Sequence, residues 1–265
     1  MIRIAAVGDV HVGLDDAGTL APTLAGVNGD ADVLLIAGDL TRHGDVEEAR
    51  VLARELQRVD LPIFAVLGNH DHHLDHEGAI RSVLEEVGVQ VLDRERATLE
   101  VGGSTLAVIG AKGFGGGFEG ACGSEFGERE MKDYIRHTRG VAEAMRELVT
   151  TAHADHVVAL LHYSPTAETC VGERREIFPF LGSYLLGEAI DAGRVDLALH
   201  GHAHHGTERG CTSGGTPVRN VARPLIGTAY RRFDLGVSAT AVGPVDENAP
   251  HARAAATVGD QAPGR

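Results

Sequence analysis

The residues that could do chemistry stand at the ends of apolar runs. IRIAAVG leads into Asp9-Val10-His11, DVLLIAG into Asp39, PIFAVLG into Asn69-His70-Asp71, HVVALL into His162, and VDLALHG into His202-Ala203-His204. The donors are carboxylates, imidazoles and one amide, with no thiolate. Hard oxygen with borderline nitrogen suits manganese, iron or zinc, and the lack of cysteine argues against a structural zinc knot. Seven donors (Asp9, His11, Asp39, Asn69, His162, His202 and His204) are too many for one four-coordinate ion, and fit two if one carboxylate bridges them.

Gly8, Gly38, Gly68 and Gly201 precede these polar residues, where a missing side chain lets the chain turn sharply and come close to an ion. A single Asp-x-His or Gly-Asp carries little weight, because Asp and Asn after a strand also serve as turn and cap residues. Five such ends in one chain carry far more.

The elements that must position them are legible as well. Those five runs, with TLAVIGA as a sixth, are short and nearly continuous in Val, Ile, Leu and Ala, as strands buried on both faces are. Amphipathic stretches at 44–59, 76–88 and 128–152 predict helices between them. Strand and helix in alternation imply an α/β layered sandwich. In open α/β sheets ligands gather at the carboxyl ends of the strands, so residues far apart in the chain would meet there. Residues 112–127, dense in glycine, and 163–183, with Pro165, Pro179 and the piece IFPFLG, read as loops. A domain over 1–242 followed by a flexible tail over 243–265 is expected, since the end holds Ala, Pro and Gly with little to bury.

A length of 265 residues suffices for one large domain with a substantial core. With no Trp and 4% aromatics, that core must be aliphatic. Lys plus Arg number 24 against 38 Asp plus Glu, and the net charge of −14 opposes a sequence-independent grip on nucleic acid or an anionic membrane. No apolar run approaches the roughly 20 residues of a membrane span, and the start shows no signal-peptide pattern. Cys122, Cys170 and Cys211 are too few and dispersed for a disulfide framework, so free thiols in a cytoplasmic protein are the expectation.

Taken in order, Asp9-x-His11, Gly38-Asp39, Gly68-Asn69-His70-Asp71, His162 and Gly201-His202-x-His204 resemble the full motif set of the calcineurin-like metallophosphoesterases, across residues 9 to 204. The resemblance implies a four-layer αββα sandwich with two mixed β-sheets and a dinuclear metal centre (manganese, iron or zinc) at the strand ends. By position it assigns Asp9, His11, Asp39 and His204 to one ion, and Asp39, Asn69, His162 and His202 to the other, with Asp39 bridging. His70 matches the family's histidine that contacts the phosphate and protonates the leaving group, and Asp71 would orient or polarise its ring. Two ions about 3.5–4 Å apart would polarise the phosphoryl group and make a bridging hydroxide at neutral pH. A histidine acid is typically worth about 10²–10⁴-fold.

The expected function is hydrolysis of a small phosphorylated molecule, with a phosphodiester preferred over a monoester. The alternatives are a catalytically silent metal-binding scaffold of the same fold, or a nuclease, which the lack of a basic, aromatic-interleaved tract disfavours. No membrane partner is expected. His72, His73 and His76 read as solvated residues past the motif, and His43 as a rim or loop residue. Strand alternation would put His200 on the face of His202 and His204, whereas the motif excludes it. Arg129, Arg174, Arg175 and Tyr163 are candidate substrate contacts, the glycine-rich loop a weak candidate phosphate cradle, and IFPFLG either a pocket wall or a dimer contact.

Overall fold

The structure, a computed structural model, describes residues 1–236. The expected tail over 243–265, and the end of the expected domain, lie outside the described residues. Two mixed sheets face each other. The first runs, in spatial order, β13 (Arg231–Leu235), β1 (Ile2–Val7), β2 (Val33–Ala37), β3 (Ile63–Val66), β4 (Val89–Val91). The second runs β11 (Arg209–Cys211), β12 (Pro217–Asn220), β10 (Leu197–His200), β9 (His156–Leu161), β6 (Ser104–Ala111), β5 (Glu95–Val101). Strands β1 to β4 are parallel, with β13 antiparallel at the edge. In the second sheet β6, β9, β10 and β12 are parallel, flanked by antiparallel β5 and β11.

The parallel strands carry the six apolar runs, and the packing explains why those runs are continuous. Ile4, Leu35 and Phe64 face Val108, Leu160 and Leu199 of the opposite sheet, while Ala5, Leu34, Ile36 and Ala65 face helices. Helices Val46–Leu56 and Glu77–Glu85 cover the first sheet through Leu52, Leu56, Ile80 and Leu84. Arg129–Thr150 and Tyr184–Ile190 cover the second through Met145, Val149, Leu186 and Ile190. That is the four-layer αββα sandwich.

The three expected helices form with shorter ends, because flanking residues act as caps: the Asp45 side chain accepts from the Glu47 N–H to start the first. The expected loop 112–127 contains a small hairpin, β7 (Gly117–Phe118) with β8 (Ala121–Cys122). The helix Tyr184–Ile190 was not expected; Ser183 caps it, its side chain accepting from the Leu185 N–H. No helix among the described residues is long and apolar enough to cross a membrane.

Candidate metal centre

Parallel register sets the strand ends level. Val7 pairs with Ile36, Ile36 with Ala65, Leu160 with Leu199, and the chain leaves every one of these strands at the same edge of the sandwich. All seven expected donors converge there. The ligand atoms of Asp9, His11 and His204 lie within 4.8 Å of one another, as do those of Asp39, His162 and His202.

Asp39 stands between the two groups. Its Oδ2 lies 3.6 Å from His11 Nε2 and its Oδ1 lies 3.4 Å from His162 Nε2, so one carboxylate presents an oxygen to each side. The side chain is buried, and the His70 backbone N–H donates to Oδ1 at 2.9 Å. Asn69 Oδ1 is 2.8 Å from His162 Nε2, and His204 Nε2 is 2.8 Å from Asp9 Oδ1.

Backbone carbonyls fix how the rings face. His162 Nδ1 donates to the Ala37 carbonyl at 3.0 Å, so its Nε2 carries the lone pair. His202 Nε2 donates to the Phe180 carbonyl at 3.1 Å, which leaves Nδ1 free for an ion. Such outer contacts orient metal-binding imidazoles.

Several observations test whether these residues suit divalent ions. His11 Nε2 is buried with no hydrogen-bond partner among the described residues, yet it faces two carboxylates. At Asn69 and His162 two acceptors meet at 2.8 Å, an arrangement that a cation between them satisfies. Burial holds His11 down to about 4 and His202 to about 3, and pushes His162 well below its ordinary value, so these rings are neutral, as ligation requires. Burial also raises Asp9, to about 6, while the hydrogen bond from His204 to Asp9 raises His204; that pair shares a proton which a cation would replace. The residues fit.

The backbone is bent to make the fit. Asp9, His11, Asp39 and His202 have φ of 55°, 45°, 49° and 69°, in the left-handed region that non-glycine residues seldom enter. Close approach, rather than turning, explains two of the glycines. A Cβ on Gly68 would lie 2.1 Å from Asp39 Oδ1, and one on Gly201 would lie 2.0 Å from Asp9 Oδ2.

His70 and Asp71 part company. The His70 ring stacks edge-on to His11, centroids 4.5 Å apart, and its Nδ1 donates to the Arg42 carbonyl at 2.8 Å, which turns Nε2 away from that contact. Its ring also comes within 4.8 Å of His11 and Asp39 donors. The expectation that Asp71 orients this ring is corrected. Asp71 is fully buried, and its carboxylate accepts from the N–H groups of Leu40, Thr41 and Gly68 and from the Thr41 hydroxyl. It ties the loop after β2 to the loop after β3. Asp71→Ala is therefore expected to lower stability by about 3–5 kcal/mol in denaturant unfolding, since four buried donors lose their acceptor.

The other histidines sort by partner. His200 is excluded from the centre because both ring nitrogens are engaged, by the Gly201 carbonyl and the Thr169 hydroxyl, and because β10 ends there, so alternation does not carry on to His202. His43 pairs with Glu48 at 2.8 Å. His73 and His76 are exposed as expected, whereas His72 is half-buried and faces a cleft. Of the substrate-contact candidates, only Tyr163 is brought to the centre, its ring centroid 4.5 Å from that of His202. Arg129 is on the surface beside Asp133, and Arg174 and Arg175 are exposed at the start of a short 3-10 turn, Arg175–Ile177. The glycine-rich loop packs against the IFPFLG segment: Tyr134 Oη and the Pro179 carbonyl would meet a Cβ on Gly115. Packing accounts for that glycine, and the segment's Phe180 carbonyl holds His202, which makes IFPFLG a wall of the site.

Sequence reading missed three supporting groups. Asn220 donates to the Ala203 carbonyl, Thr169 holds His200, and the Arg42 carbonyl holds His70. Main-chain acceptors leave no mark in a sequence, and a lone Asn or Thr far from the motif leaves almost none.

The model of the calcineurin-like phosphoesterase family matches residues 2–206. Among solved structures, the phosphopantetheinyl hydrolase from Mycobacterium tuberculosis is similar with a TM-score of 0.63 and 15% identity, over 91% of this chain and 98% of that one. The protein TT1561 of Thermus thermophilus gives 0.54 and 18% over 84% and 90%. A putative 5'-nucleotidase from Staphylococcus aureus gives 0.52 and 16% over 83% and 48%. At these identities the likeness is one of fold. No curated protein matches the chain in sequence.

Proposed function

Because the chain belongs to the calcineurin-like phosphoesterase family, we propose that it hydrolyses a small phosphorylated molecule with two divalent ions held by its seven strand-end donors. Metal-dependent phosphoester hydrolysis is the general chemistry of that family. The observation that carries the proposal is the Asp39 carboxylate, which offers one oxygen to the His11 side and the other to the His162 side. Asp9, His11, Asp39 and His204 would hold one ion; Asp39, Asn69, His162 and His202 would hold the second. Bound there, manganese, iron or zinc would supply Lewis acidity, polarising phosphoryl oxygens and acidifying a water.

The protein's own groups do the rest. The carboxylates of Asp9 and Asp39 are buried, which strengthens every charge contact made by the reacting phosphate. His70, anchored through Nδ1 to Arg42, is the group to place a proton on the leaving oxygen from Nε2. A group that can do so favours esters with basic alkoxide leaving groups, and phosphodiesters over monoesters. The acid-rich composition favours a small substrate over nucleic acid, and three free cysteines suit a cytoplasmic setting. A silent scaffold needs neither the intact donor set nor His70, and both are in place.

The deciding assay takes purified protein, measures its metal content, and compares bis(nitrophenyl) phosphate with nitrophenyl phosphate in the presence of manganese, iron or zinc. No hydrolysis of either with any of these ions would overturn the proposal. His70→Ala is expected to cost about 10²–10⁴-fold on an alkyl ester and much less on a nitrophenyl ester, whose leaving group needs no proton. Equal loss on both would remove His70 from the acid role.

A further inference from the structure

Beside His162, one strand along, lies a lysine that makes no ion pair among the described residues. Strands β6 and β9 are parallel with Ala111 opposite Leu161, which sets Lys112 level with His162. The Lys112 carbonyl accepts from the N–H groups of His162 and Tyr163, each at 3.0 Å. The Lys112 ammonium reaches over Phe114, on the side of the second sheet that the helix Arg129–Thr150 covers.

A cleft of about 380 Å³ opens there. Leu67, Leu92 and Val141 line its apolar side, and His72, Lys112 and His137 its polar side. Leu67 of the cleft immediately precedes Gly68-Asn69, and the charge of Asp39 is felt at Lys112, so the cleft lies beside the metal centre. The other cations in the cleft are already engaged: Arg81 by Glu85 and Glu95, Arg94 by Asp93. The acid Glu77 stands 3.8 Å from His72. Among the described residues Lys112 makes no direct ion pair, although the carboxylates of Asp93 and Glu77 in the same cleft draw on its charge from farther off, and its ammonium lies over the Phe114 ring at 5.4 Å from the centroid. In a chain of net charge −14, an unpaired ammonium facing a half-apolar cleft is a place for an anion.

We propose that this cleft is a substrate subsite for a second anionic group, a phosphate or carboxylate remote from the scissile ester, with Lys112 as its counter-ion and His137 as a hydrogen-bond partner on the facing helix. The proposal rests on the phosphoesterase reading and adds a substrate class to it: molecules with two separated anionic groups, of which one is esterified phosphate.

Binding of non-hydrolysable probes tests it apart from turnover. Calorimetric titration of the metal-loaded protein with propylphosphonate, phosphonobutyrate and propane diphosphonate varies only the second group. Wild type is expected to bind at least one of the two doubly anionic probes more tightly than propylphosphonate, and which one it prefers distinguishes carboxylate from phosphate. Lys112→Met is expected to weaken that probe by about 10- to 100-fold, the scale of a charge-assisted contact, while propylphosphonate changes less than about twofold. Lys112→Arg should restore most of the difference. Should Lys112→Met fail to fold, His137→Asn is expected to move the same probe in the same direction, by less. Equal binding of all three probes by wild type, or a parallel loss on all three in the variants, would overturn the subsite. Failure of wild type to hydrolyse any ester would overturn the phosphoesterase reading, and leaves this binding result standing on its own.

Discussion

Asp39→Asn is expected to remove one bound ion per chain and to lower kcat/KM by about 10³-fold or more, the scale of losing an indispensable catalytic group. Asparagine keeps the size of the side chain and one oxygen. That oxygen can serve either the His11 side, now 3.6 Å away, or the His162 side at 3.4 Å, but not both. The amide NH₂ that takes the other place donates hydrogen bonds and offers no lone pair to an ion. The His70 N–H contact survives if the oxygen turns to the His162 side, so the ion on the His11 side is the one expected to leave. Metal analysis of the purified variant reads the count directly, and circular dichroism checks that the fold is intact. Two ions retained with a native spectrum would mean that Asp39 does not bridge.

Gly68→Ala is expected to reproduce that loss, although Gly68 has no side chain to hold an ion. The new methyl would sit 2.1 Å from Asp39 Oδ1 and 2.3 Å from the Asp39 backbone nitrogen. A flexible side-chain tip could swing aside, but a main-chain nitrogen cannot, and Asp39 is already in a left-handed conformation with φ of 49°. Gly68 itself has no positive φ, so the effect is one of volume alone. Overpacking of this kind costs about 1–3 kcal/mol, and the carboxylate is the part of the site it displaces. Metal content and activity should fall together. Gly78→Ala in the helix Glu77–Glu85 is the control: nothing lies within 4 Å of its Cβ, and no loss of metal or stability is expected.

The centre and the layers were legible in the sequence because they rest on side-chain type and spacing. Doubly buried strands must be apolar throughout, and the donors follow them within a few residues. What escaped is of three kinds. Edge strands such as β5, ERATLEV, and β13, RRFDL, are charged because one face meets solvent, so they read as polar linker. Asp71 looked like the partner of His70 because it is adjacent in sequence, yet a tight turn sends neighbouring side chains apart, and its carboxylate serves Leu40 and Thr41 instead. Lys112 sits after a strand like the metal donors do, but a lone lysine at a strand end has no motif to set it apart. Its significance depends on which other cations find partners, and that is a property of three dimensions.

The left-handed backbone at Asp9, His11, Asp39 and His202 has a consequence for anyone improving this protein. Each such residue strains the chain by roughly 1–2 kcal/mol relative to a glycine in the same place. At His11, whose Nε2 makes no hydrogen bond among the described residues, heat resistance and hydrolysis therefore select for different residues. A library ranked by survival at high temperature would enrich glycine there, and its hardiest members would be inert.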